Sequence, residues 1–210
     1  SLALRPDGDV IVGGDVVTAT GNPASSIARF SPTTNTWSPL GNGPDSTVFA
    51  VALLPSGDVV AGGGFVSVGG AAIRQVARYA EVTDAWSPLV DGSNGGVFAL
   101  AVLPGGDVVA GGVFTTVAGV AASHCARFNP TTGAWSSLGS GTDSDVRAIS
   151  VLPSGDLVVG GDFATAGETV ANHVARYEPI SNAWSAMAGG TDGPVHALAV
   201  LPDGSVIVAG

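Results

Sequence analysis

A 49-residue period, short apolar runs that stop at Pro and Gly, and the absence of helical periodicity predict an all-β chain. The architecture they predict is a β-propeller of four-stranded antiparallel blades, with about four and a half repeats in 210 residues. The period is read from columns of like residues. Trp37, Trp86, Trp135 and Trp184 stand 49 apart, as do Arg29, Arg78, Arg127 and Arg176, and Pro6, Pro55, Pro104, Pro153 and Pro202. The units run over 1–47, 48–96, 97–145 and 146–194, with a partial unit at 195–210. A unit of this size cannot bury its apolar face alone and must stack on its neighbours. No insertion interrupts the copies, so each turns by the same angle relative to the last, which suits a ring. A solenoid coil, with shorter strands and shorter repeats, ranks behind.

Each element of the unit has its own signal. The first strand is a nearly unbroken apolar run, 97–103 in the third copy and 48–54, 146–152 and 195–201 in the others; its composition predicts burial on both faces. A Pro-x-Gly-Asp turn follows, as in Pro55-Ser56-Gly57-Asp58, where Pro pre-sets φ and Gly accepts φ > 0. The second strand ends in paired glycines, Gly13-Gly14, Gly62-Gly63, Gly111-Gly112 and Gly160-Gly161. Repeated glycines inside a strand predict a bulge or the close approach of a neighbour. A longer Ala/Gly/Thr-rich loop leads to the third strand, such as 124–128. The next turn keeps Asn35, Asp84, Gly133 and Asn182 in one column, the residue types that tolerate a left-handed backbone. The fourth strand, 134–138, carries the tryptophan.

Composition narrows the function. The net charge of −10 comes from 17 acids against seven cations, all arginine, so the basic footprint of a nucleic-acid binder is missing. Apolar runs are broken every seven or eight residues, which excludes a membrane helix, and no signal peptide is expected because the chain opens in repeat sequence. The single cysteine, Cys125, shares a column with Ile27, Val76 and Val174; it reads as a small hydrophobe, which excludes disulfides and cysteine-clustered metals. The compartment stays open, with an extracellular or cell-surface setting as one option.

In each unit the glycine pair is followed by an aromatic and, seven residues later, by Trp: Phe30/Trp37, Tyr79/Trp86, Phe128/Trp135 and Tyr177/Trp184. Together with the Asn129-Pro130-Thr131-Thr132-Gly133 turn, this order resembles the kelch motif and covers essentially the whole chain. The resemblance implies a kelch-like propeller, as in the central domain of galactose oxidase, and a family composed mostly of interaction modules. The copper site of that enzyme uses Tyr, His and a Tyr–Cys crosslink and does not carry over, because Tyr79 and Tyr177 are the Trp-paired aromatics and Cys125 is a strand residue.

Strand order puts the tight turns at one end of each blade and the longer, more variable loops at the other, where binding sites usually reside. That variable face carries the column Asp45, Asn94, Asp143 and Asp192, with Asp91 and Asp145 nearby. Ringed about an axis, these residues would bind a cation or polar ligand through carboxylate oxygens; the alternative is that each caps its own turn. The arginine column holds more than half of the positive charge, but its mid-strand position favours a repeated structural pair over an anion site. His124 and His173 share a column with Ser26 and Gln75, and His196 stands among Phe49, Phe98 and Arg147; such spacing forms neither a metal site nor a catalytic triad. No cofactor is expected. The function expected is a non-catalytic binding or structural module for a protein or glycan ligand, forming a homodimer that shares one ring of about eight blades. The alternatives are the propeller part of a secreted carbohydrate-active or oxidase-like enzyme, and a chain made to study propeller assembly.

Overall fold

The computed structural model describes residues 1–15, 18–19, 22–23, 25–89 and 92–210, the short pair 18–19 and 22–23 through backbone alone. It is all-β and divides into two compact units, Ser1–Val97 and Phe98–Gly210. In the first unit, β1 (Leu2–Leu4), β2 (Val10–Gly13), β5 (Ile27–Ser31) and β6 (Thr36–Pro39) form one antiparallel sheet in that order. Between β2 and β5 lies the short pair β3 (Thr18–Ala19) and β4 (Asn22–Pro23). A second sheet contains β7 (Val48–Leu53), β8 (Val59–Gly63), β9 (Val76–Ala80) and β10 (Ala85–Pro88).

The second unit repeats the plan. One sheet joins β11 (Val97–Val102), β12 (Val108–Gly112), β15 (Cys125–Asn129) and β16 (Ala134–Ser137), with the pair β13 (Thr116–Val117) and β14 (Val120–Ala121) in its long loop. The next joins β17 (Val146–Val151), β18 (Leu157–Gly161), β21 (Val174–Glu178) and β22 (Ala183–Ala186), with the pair β19 (Thr165–Ala166) and β20 (Thr169–Val170). A half sheet, β23 (Ala197–Val200) with β24 (Val206–Ala209), follows. Each four-stranded sheet is a propeller blade made from one 49-residue copy.

Local chemistry accounts for this regularity. In all five tight turns the residue before Pro exchanges backbone hydrogen bonds across the loop, as in Leu54 N donating to Asp58 O at 2.9 Å and Gly57 N to Leu54 O at 2.9 Å. The glycine there holds φ between 85° and 91° in every copy, a conformation open only to a residue without Cβ. The column Asn35, Asp84, Gly133 and Asn182 is left-handed throughout, as its composition predicts. The seven-residue aromatic spacing places Phe128 directly opposite Trp135 across the β15–β16 hairpin, and the four aromatic pairs lie 4.9–5.3 Å apart, centroid to centroid.

Burial differs from the expectation in one respect. The strand covered along its whole length is the second one, β8, β12 and β18, whereas β11 alternates buried and half-buried. The second strand lies inside the sheet and carries the glycines against which the next blade packs; the first strand forms the sheet's edge. Both roles foreseen for the glycine pairs occur. A Cβ on Gly13 would lie 2.6 Å from Val48 Cγ1 and 2.9 Å from Val51 Cγ1 of the next blade. The second glycine, as at Gly63 and Gly161, sits where the start of its own first strand bulges, and its missing Cβ makes room for the Thr47 and Asp145 carbonyls.

Within each unit one tryptophan joins its blade to the preceding one. Trp86 Nε1 donates to Leu40 O at 2.8 Å and Trp184 Nε1 to Leu138 O at 3.0 Å, each reaching the end of the preceding blade. Trp135 is buried; Trp37, Trp86 and Trp184 are half-buried, less covered than a core residue, because the fourth strand is the outer edge of its sheet.

Candidate functional site

The arginine column is structural. Arg29 Nε holds Asp9 Oδ2 at 2.5 Å, Arg78 Nε holds Asp58 at 2.9 Å, Arg127 Nε holds Asp107 at 2.5 Å and Arg176 Nε holds Asp156 at 3.1 Å. Each aspartate closes the Pro-x-Gly-Asp turn, so a mid-strand cation anchors the hairpin beside it. Asp9, Asp58 and Asp107 are buried, and a buried carboxylate requires such a partner.

In the acidic column, Asp45 Oδ1 accepts from Val66 N at 3.0 Å and Ser67 N at 3.1 Å, and Asp143 Oδ1 accepts from Ala164 N at 2.9 Å and Thr165 N at 3.0 Å. These carboxylates cap the long loop of the following strand pair, 21 and 22 residues onward, rather than their own turn. Burial pushes the Asp143 carboxyl up, but the hydrogen bonds from Thr165 and Ala164 outweigh it and leave the carboxyl below its ordinary value. Asn94 and Asp192 are exposed; Asp91 lies outside the described residues. The long loops themselves are more regular than their composition predicts. In blade four, β19–β20 folds onto its own fourth strand, where Thr169 Oγ1 donates to Trp184 O at 3.4 Å.

A different set of residues converges at this end of the second unit. Arg147, at the start of β17, grips Asp162 through two hydrogen bonds of 2.7 and 2.6 Å, with Asp145 Oδ2 3.7 Å from the same guanidinium. His124 Nδ1 lies 3.7 Å from Asp145 Oδ1. Arg147 also stands 5.6 Å over the Phe98 ring, a cation–π geometry. Its hydrogen bonds hold the Asp162 carboxyl below the usual range against the opposing effect of burial, and the fields of His196 and His173 add to that. The Nδ1 atoms of His124 and His173 are buried without a hydrogen-bond partner, as is Gln75 Oε1 in the same column of the first unit. That column is left-handed at Ser26, Gln75, His124 and His173, so the backbone fixes where these polar side chains stand.

Sequence reading took these residues one at a time and missed the cluster. The available signal was departure from the repeat: Arg147 and His196 replace the phenylalanines of Phe49 and Phe98, and Asp145 replaces Thr47 and Gly96, while Asp162 shares its column with Asp15 but not with Gly64 and Val113. All fall on one end of one unit. Two carboxylates, a guanidinium and three imidazoles there offer hydrogen bonds of both polarities to a hydroxyl- or carboxylate-bearing ligand. Among the described residues, no three His, Cys, Asp or Glu side chains come together in a metal-holding group.

Comparison with known proteins agrees with the architecture. A family described as "Domain of unknown function (DUF5122) beta-propeller" matches residues 5–33 and 152–179, each spanning a tight turn, the second strand and the third. Among solved structures, the chain is similar to the extracellular domain assigned to a one-component system, BT4673 of B. thetaiotaomicron, with a TM-score of 0.67 at 11% identity. It is likewise similar to the extracellular domain assigned to a hybrid two-component system, BT3049 of the same organism, with a TM-score of 0.67 at 11% identity. Each match covers 99% of this chain and 25% of the other, so the chain spans a quarter of the length of these structures. No curated protein matches the chain. The fold class is the β-propeller.

Proposed function

We propose that the chain is a non-catalytic, kelch-like binding module whose recognition surface is the cluster of Arg147, Asp145, Asp162, His124, His173 and His196. The observation that carries this reading is the convergence of side chains that leave the repeat. A scaffold copied four times varies freely on its surface, yet these polar substitutions gather at one end of one unit, where longer loops frame them. The ligand class that fits is a glycan, whose hydroxyls suit mixed carboxylate, imidazole and guanidinium groups, and the extracellular domains among the structural neighbours support a setting outside the cell. Glycan-array binding by the purified chain, abolished by Arg147→Ala in a variant that still folds and still melts cooperatively, is the expected result. Binding indifferent to that substitution, or turnover of an oxidase or glycosidase substrate, would overturn the reading.

The module works as a pair of copies that complete one ring of about eight blades. Leu2 and Leu4 on β1 are 69% and 71% exposed, although Val51, in the column of Leu2, is buried against the preceding blade. Ile207 on the edge strand β24 is 54% exposed. Apolar blade surface of this kind drives association, and a second copy presents the matching blade.

A further inference from the structure

The repeat supplies an internal comparison at the tight-turn end, far in the fold from the polar cluster. In the first unit, the junction between the first two blades is bridged by two residues that leave their columns. Arg5 stands where the other copies have Leu54, Leu103, Leu152 and Leu201, and Glu81 stands where they have Pro32, Pro130 and Pro179. Arg5 Nη1 donates to Glu81 Oε1 at 2.5 Å and to Gly57 O at 3.3 Å, and Arg29 Nη1 reaches Glu81 Oε2 at 3.5 Å. The backbone N–H of Glu81 also satisfies Asp58 Oδ1 at 3.2 Å.

The corresponding junction in the second unit has lost that bridge. Leu103 replaces Arg5 and Pro179 replaces Glu81, and a cleft of about 480 Å³ opens there, lined by Leu103, Asp107, Arg127, Gly155, Asp156 and Pro179 among others. The guanidinium and the carbonyl that met the bridge persist without it. Arg127 corresponds to Arg29 and spends Nε on Asp107, which leaves its terminal nitrogens for a carboxylate. Gly155 O corresponds to Gly57 O, the acceptor of the Arg5 guanidinium. Pro179 has no N–H to offer Asp156 Oδ1, whose sister oxygen takes Ser154 and Arg176.

We propose that this cleft binds a small zwitterion whose carboxylate adjoins an ammonium, as in a free α-amino acid, in place of the Arg5–Glu81 ion pair. The ligand carboxylate lies on the terminal nitrogens of Arg127, where Arg29 holds Glu81. Its ammonium donates to Gly155 O and the Asp156 carboxylate, where Arg5 reaches Gly57 O. The side chain rests on Leu103, Pro104 and Pro179, which favours an apolar residue such as leucine. The volume exceeds what one leucine fills, and water takes the remainder.

The test is an NMR titration of the intact chain with L-leucine, isoamylamine, which lacks the carboxylate, and 4-methylpentanoate, which lacks the ammonium. The expected result is saturable shifts of the Gly105 and Gly155 amides and the Arg127 Nε–H with leucine, and at least about tenfold weaker effects with either analogue, the loss of one charge-assisted contact. The double substitution Leu103→Arg with Pro179→Glu rebuilds the bridge of the first unit and should abolish the leucine shifts. No saturation with leucine, an analogue binding equally well, or leucine shifts that survive in the folded double variant would each overturn the proposal. Should that variant fail to fold, the three-ligand comparison on the native chain still decides. The glycan reading of the polar cluster stands or falls separately, because its residues lie at the opposite end of the blades and are read by Arg147→Ala.

Discussion

Asp58 shows what one residue of the column does. Its side chain is 7% exposed and would carry an uncompensated charge were it not for Arg78, which lies across the hairpin. Replacing Arg78 by Ala should lower stability by about 1–3 kcal/mol, the cost of leaving a buried polar group without its partner, read as a shift of the urea midpoint. Arg78→Lys should recover only part of that, because an ammonium cannot reproduce the paired Nε and Nη2 contacts. A midpoint unmoved by either change would show that the column is ornamental. The same carboxylates set the acid limb. At Asp156 the hydrogen bonds from Ser154 and then Arg176 hold the carboxyl below its ordinary value, and at Asp162 those from Arg147 do so. At Asp58 burial pushes upward and is outweighed by Arg78 and Ser56. A carboxyl lowered in the folded state contributes stability that is complete above the unfolded value of about 3.9 and is lost as pH falls through the folded one. Urea midpoints should therefore hold between about pH 7 and pH 5 and fall below about pH 4. A midpoint rising toward pH 3 would contradict the assignment.

Among the elements, the second strand and the tryptophan-bearing fourth strand do the most. Gly111→Ala would place a methyl 2.9 Å from Ile149 Cδ1 and closer still to Val146, in side chains fixed by the blade above, so the cost should be about 1–3 kcal/mol of overpacking. Gly105→Ala, with no atom near its missing Cβ and no left-handed backbone, serves as the control and should be near neutral in the same melt. Trp184→Phe removes one hydrogen bond to Leu138 O and should cost about 0.5–1.5 kcal/mol beyond the loss of ring area. These elements were legible because their constraints are local: a positive φ at Gly8 and its sister turn glycines, an aromatic seven residues from Trp135, a left-handed Asn182. What was not legible depends on neighbours in space. The apolar run of β11 looks buried on both faces, yet its place at the sheet edge is settled by pairing order. The loop holding β19 and β20 looks loose in composition, but Asp143, from the preceding linker, organises it.

At the scale of the molecule, the repeat makes the scaffold predictable and its exceptions informative. The Asp9, Asp58, Asp107 and Asp156 partners of the arginines follow from their column. The meeting of His124, Asp145, Arg147 and Asp162 does not, since these residues come from different strands and only blade packing brings them together. Asp45 and Asp143, read from sequence as ligand-binding candidates, each spend a carboxylate oxygen on the neighbouring loop. The open cleft beside Arg127 emerges only when the second unit is set against the bridged junction of the first. The central claim, that exposed blade surface on β1 and β24 is covered by a second copy, is tested most directly by the solution mass. Light scattering at micromolar concentration should return twice the 20.5 kDa of one chain, and Leu2→Asp with Leu4→Asp should reduce it to one. A monomer mass for the unaltered chain across that concentration range would contradict the shared ring.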